Sequence, residues 1–150
     1  MKIPAVPPIG HVVAYEYLWA SQADKREDGV KTYPVALVMA KEVEGPSTLT
    51  YALGISHKPP SKDERALQVP VKLQKWLGLD DQPCWIYTGQ MNVFAWPGPD
   101  LRPAGYLSRR KDAEGSCVIA PLPTDWFETV KEHVLESHRL KKLNIQKRTA

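Results

Sequence analysis

YPVALVMAKEVEGPSTLTYALGIS, residues 33–56, is a pair of apolar runs on either side of a turn. Residues 33–42 and 48–56 are rich in β-branched side chains, and EVEGPS between them carries Gly45-Pro46, so the spacing predicts a hairpin at the centre of an antiparallel sheet. The second run ends in GISHKPP, residues 54–60, where two prolines stop the strand immediately after Ser56, His57 and Lys58. Upstream, HVVAYEYLW (11–19) alternates well enough for a first strand, with Val13, Tyr15 and Tyr17 on one face and Val12, Ala14, Glu16 and Leu18 on the other. ASQADKREDGVK (20–31) is polar, of mixed charge, and reads as a long exposed loop.

Downstream, SKDERALQVP turns from polar to short and extended. VKLQKWLGLDD offers one or two helical turns ended by Gly78, and PCWIYTGQMNVFAW (83–96) reads as a strand bent or bulged at Gly89. WPGPDLRPAG breaks regular structure, with Asp100 and Arg102 close enough in sequence to pair. Pro123, Thr124 and Asp125 announce a final helix, with Glu128 spaced for a capping box and Trp126, Phe127, Val130 and Val134 at helical intervals. About five short strands, an inserted helical turn and a C-terminal helix predict a mainly β, α+β domain: a small curved sheet or SH3-like β-barrel spanning 1–150.

The 150 residues are 43% hydrophobic, which suits one core, and fourteen prolines and nine glycines favour many turns over a helix bundle. No window approaches the roughly 18 apolar residues of a membrane span, and the start MKIPAVPPIG lacks the layout of a secretory signal, so a soluble cytoplasmic protein without a membrane partner is expected. Cys84 and Cys117 form no CxxC pair and are expected as reduced, partly buried thiols. A formal charge of +3 does not by itself indicate nucleic acid, but SHRLKKLNIQKRTA gathers two arginines and three lysines without an acid. The tail from about 139 to 150 therefore reads as solvated, with contact to a polyanion or an acidic partner as the alternative.

PPIGHVVAYEY, KTYPVALVMA, the strand ending in GISHKPP, VKLQKWLGLDD and PCWIYTGQMNVFAWPGPDLRP, in that order and spacing, resemble the PemK/MazF-like toxin family. The similarity spans roughly residues 8–103 and is greatest to a divergent branch of PemK-like growth inhibitors, with NVFAWPGPDLRP its most distinctive part. The resemblance implies an SH3-like barrel, often a homodimer. It further implies a toxin of a toxin–antitoxin system: an mRNA interferase cleaving single-stranded RNA with no metal or other cofactor, silenced by an antitoxin protein. Two positions depart from the family pattern. Tyr33-Pro34 stands where the family has an Arg-Pro pair whose arginine stabilises the phosphate, and Ser56 stands where it usually has threonine.

Metal-free RNA cleavage needs a proton acceptor for the 2′-OH, a donor for the leaving 5′-oxygen, and positive charge for the phosphorane oxygens. On the resemblance, His57 is the acid or base, Ser56 donates a hydrogen bond, Lys31 or Lys58 supplies charge, and Tyr33 is a donor in the arginine's place. A tyrosine lacks the charge and fork of an arginine, so Lys31 has to compensate. Tyr17, Trp19 and Trp96 are candidates for stacking bases, Lys25 and Arg26 for meeting phosphate from the 20–32 loop, and Arg102 for a further basic contact. Each has a plainer reading as a core, turn or solvated residue; for Trp76, Trp85 and Trp126 core packing is expected. A non-catalytic module on the same barrel, binding nucleic acid, a peptide or a gyrase-type protein, is the alternative, and Tyr33 is the residue that favours it.

Overall fold

The hairpin forms where the two apolar runs put it. β2 (Tyr33–Glu42) and β3 (Thr48–Ser56) pair antiparallel from Val35 opposite Gly54 to Glu42 opposite Thr48, with a register shift between Leu37 and Met39. Gly45 takes φ +99°, the conformation glycine reaches without a steric cost. The computed structural model describes residues 1–25, 29, 31–43, 45 and 47–148, so Pro46 of the turn and Arg26 lie outside the described residues.

β1 (His11–Tyr15) pairs with β2 on one edge and with β7 (Val118–Pro121) on the other. β3 carries two strands on its free edge. β6 (Gln90–Trp96) pairs with Thr48–Ala52, and β5 (Trp85–Tyr87) with Ile55–Ser56, while β4 (Ala66–Gln68) pairs with β5. Thr88 and Gly89 separate β5 from β6, so the bend expected at Gly89 is a full break. With α1 (Val71–Trp76) and α2 (Thr124–Arg139) the chain has the expected α+β class. It is mainly antiparallel sheet, and among the described residues the strand path β4-β5-β3-β2-β1-β7 stays open at both ends.

The period-2 alternation sorts the hydrophobic residues into two cores, one on each face of the sheet. Val13, Tyr15, Tyr17, Val35, Leu37 and Ala52 pack on one side with Phe94 and Trp96. Val12, Ala36, Val38, Leu53 and Ile55 pack on the other, beneath α1 and α2. Each fully buried Val, Leu, Ile or Phe contributes roughly 1.5–3 kcal/mol relative to exposure. Gly78 ends α1 at φ +71°, as expected. Trp126, Phe127 and Val134 of α2 pack against the second core around the fully buried Val130. Polar contacts tie the helix down as well: His133 Nδ1 lies 2.6 Å from Thr88 Oγ1, and Arg65 Nε donates to Ser137 Oγ at 2.6 Å.

Three expectations are corrected. The capping box is absent: α2 is preceded by Pro123, which makes no side-chain cap, and Glu128 pairs instead with Lys131 at 2.8 Å. Trp76 is 43% exposed, its ring under the Arg110 guanidinium at 4.5 Å. The basic tail is structured as far as Arg148. After the turn at Lys141, β8 (Asn144–Lys147) runs parallel to β6, and Arg148 turns inward to Asp100 at 2.7 Å, Tyr15 Oη at 3.1 Å, the Glu16 carbonyl at 2.7 Å and Asn92 Oδ1 at 3.1 Å. Among the described residues no helix is long and apolar enough to cross a membrane.

Candidate functional site

β2 begins and β3 ends side by side, and this antiparallel arrangement brings residues 31–34 next to residues 55–58. A groove of about 590 Å³ opens there, and Lys31, Tyr33, Ser56, His57, Lys58 and Trp19 all line it. Its electrostatics are mixed, because Glu64 and Asp80 line it alongside the two ammonium groups.

His57 is fixed by a loop that follows α1. Its Nε2 lies 2.9 Å from Asp80 Oδ2 and its Nδ1 3.1 Å from the Pro83 carbonyl. Both ring nitrogens are therefore engaged within the protein. The pair is about half exposed, at 43% for His57 and 51% for Asp80, so its Coulombic worth is small. The loop is itself anchored: the buried Gln74 amide donates to the carbonyls of Asp80 and Gln82, and Gln82 N donates to Asp80 Oδ1 at 3.1 Å. Ser56 Oγ accepts from Lys58 N at 3.2 Å, and Tyr87 Oη donates to the Lys58 carbonyl, so the turn after β3 is held from both sides. Burial, with Glu64 nearby, pushes the Tyr87 hydroxyl up to about 12, and burial pushes the Cys84 thiol in the groove wall up to about 11. Neither is ionised near neutrality, which leaves Cys84 without a thiolate's nucleophilicity.

Another part of the lining is aromatic. Trp19 sits edge-on to Tyr33 and Tyr87 at 5.2 Å each and to Tyr17 at 4.5 Å, and Lys31 Nζ lies 5.0 Å from the Tyr33 ring centre. The backbone carrying Trp19 hangs from two amide side chains of β6. Asn92 bonds the N–H and carbonyl of Leu18, both at 2.8 Å, and Gln90 Oε1 accepts from Ala20 N at 2.9 Å. A 3₁₀ turn over Ala20–Gln22 follows, closed by Gln22 N to the Trp19 carbonyl at 2.9 Å. Gln22 lines the groove, and its side-chain carbonyl oxygen is buried without a hydrogen-bond partner, an arrangement that costs roughly 1–3 kcal/mol.

Not every residue singled out from the sequence belongs to this groove. Tyr17 is fully buried, and burial pushes its hydroxyl far up, so it packs behind Trp19 and offers no free face. Trp96 is also a core residue, 6% exposed, with Nε1 donating to the Pro4 carbonyl at 2.8 Å. Arg102 does not line the groove and pairs chiefly with Glu16, at 2.7 Å, rather than with Asp100. Lys25 is exposed on the turn beyond Gln22 and away from the groove lining, and Arg26 lies outside the described residues. Sequence reasoning missed Asp80, Gln74, Tyr87 and Gln22. The carboxylates of LGLDD after a glycine turn were the one visible hint, and nothing local links residue 80 to residue 57. Among the described residues no cluster of three His, Cys, Asp or Glu side chains could hold a metal ion. No protein-family model, curated protein or solved structure matches the chain.

Proposed function

We propose that the groove takes single-stranded RNA and that the chain is a metal-independent endoribonuclease of the PemK/MazF toxin type. The observation that carries this reading is the convergence of His57, Ser56, Lys31 and Lys58 on one groove walled by Trp19. In the reaction the 2′-hydroxyl gives up its proton to water in the groove, its oxygen attacks the adjacent phosphorus and the P–O5′ bond breaks, leaving a 2′,3′-cyclic phosphate and a 5′-hydroxyl. His57 gives a proton to the departing 5′-oxygen once substrate displaces the Pro83 carbonyl from Nδ1, with Asp80 on Nε2 holding the ring. Lys31 and Lys58 offset the negative charge that gathers on the phosphorane, and Ser56 and Tyr33 supply hydroxyl donors. On this reading the protein acts in the cytoplasm as a homodimer restrained by an antitoxin.

The test is incubation of purified protein with single-stranded RNA in EDTA, followed by mapping of the ends. Cyclic-phosphate ends are expected, with cleavage reduced about 10²-fold or more by His57→Ala and also reduced by Lys31→Ala. Both ring nitrogens of His57 already have partners, and Tyr33 stands where the family arginine would be. These two facts favour a second reading, a binding module without catalysis. RNA that stays intact while bound would select it.

A further inference from the structure

We propose that Glu64 is the base of the cleavage step, taking the proton of the attacking 2′-hydroxyl through the groove water while His57 serves the leaving 5′-oxygen; this rests on the endoribonuclease reading of the groove. Two carboxylates line the groove, and they are not equivalent. Asp80 has committed both oxygens, Oδ2 to His57 Nε2 at 2.9 Å and Oδ1 to Gln82 N at 3.1 Å. Glu64 has committed one: Oε1 accepts from Ser61 N at 2.9 Å, and the described residues bring no hydrogen-bond partner to the other. The Cys84 thiol and the Tyr87 hydroxyl, pushed up to about 11 and about 12, stay protonated near neutrality and are poor acceptors.

The fold brings the two groups in from opposite ends of β5. Ahead of Trp85, the Pro83 carbonyl and Asp80 hold the His57 ring. At the other end Ala66 lies opposite Tyr87, Thr88 N donates to the Arg65 carbonyl at 3.0 Å, and Glu64 comes next. Its turn is closed a second time by Glu64 N on the Ser61 carbonyl at 3.0 Å. The Glu64 charge adds to burial in raising the Tyr87 hydroxyl, so the carboxylate stands near the group that holds the Lys58 carbonyl. Attack and departure lie roughly in line across the phosphorus, so a base and an acid that enter from different ends suit the two oxygens. In the step the 2′-proton passes to water and a water proton to the Glu64 carboxylate. The O2′–P bond forms, the P–O5′ bond breaks, and the His57 proton goes to O5′; exchange with solvent then resets both side chains.

The test compares single-stranded RNA with the same RNA carrying sulfur in place of O5′ at the mapped cleavage site, because a thiolate leaves without help from an acid. Glu64→Gln keeps the acceptor for Ser61 N and cannot take the proton. It is expected to lower kcat about 10²-fold or more on both substrates with KM little changed, and its urea midpoint should equal the parent's. His57→Ala is expected to lose far more on the oxygen substrate than on the sulfur one, and that contrast separates acid from base. A kcat for Glu64→Gln close to the parent's, or a loss that the sulfur substrate relieves, overturns the inference and leaves the endoribonuclease reading standing. RNA left intact by the parent protein overturns both.

Discussion

At position 54 two aromatic rings occupy the space a side chain would need. A Cβ built on Gly54 lies 2.6 Å from Trp19 Cη2 and 3.0 Å from the Tyr17 ring. Its backbone is ordinary strand, so glycine is required by space and not by φ. Gly54→Ala therefore pushes against an indole packed by three other rings, and is expected to destabilise the fold by about 1–3 kcal/mol. Urea denaturation measures this, and a midpoint equal to the parent's would mean that Trp19 moves aside freely. Other single residues were harder to anticipate. Trp96, a stacking candidate at the end of its strand, is instead buried in the core, with its indole N–H on the Pro4 carbonyl 92 positions away. The Asp80 partner of His57 is equally remote, 23 positions along the chain. Contacts of that range leave no periodic trace.

Strands β2 and β3 have the bounds their sequence runs suggested, because two apolar, β-branched runs on either side of a short polar break are a local signal that the sheet simply uses. β8 had no such signal. NIQK is polar, its flanks are basic, and it becomes a strand because it covers the free edge of β6. Arg148 then closes the attachment, with a side chain only 1% exposed against Asp100 at 17%. Removing one member of such a pair leaves the other charge in a poorly hydrated site. Arg148→Ala is expected to cost roughly 3–5 kcal/mol, seen as a lower urea midpoint at unchanged slope. A loss below about 1 kcal/mol, the range of surface pairs, would mean that β8 is held by its backbone ladder alone.

His133, Asp112 and Glu136 share one sign of pH dependence on the acid side. Burial, and then the Arg65 guanidinium, hold His133 below its ordinary value of 6.5, so the folded state keeps it neutral against Thr88. A lowered histidine means that the unfolded chain takes up the proton first. Stability is therefore full above about pH 6.5 and is lost as pH falls through the folded value. Asp112, hydrogen-bonded by Arg110, and Glu136, hydrogen-bonded by Arg139, are also held below their ordinary values. They add losses of the same sign at lower pH, small ones because both are at the surface. Thermal melts from pH 8 to pH 5 should show Tm falling on the acid side. His133→Gln, which keeps an acceptor for Thr88 and removes the titration, should flatten the first part of that fall, and an unaltered profile would place the sensitivity elsewhere.

The amide groups of Gln90 and Asn92 never reach the groove, yet they hold the chain segment from which Trp19 projects. A mutational scan restricted to residues facing the ligand would pass over both. Their replacement should behave like a lesion in the aromatic lining itself, so the groove's affinity for a ligand can be tuned from β6 without altering a side chain that lines it.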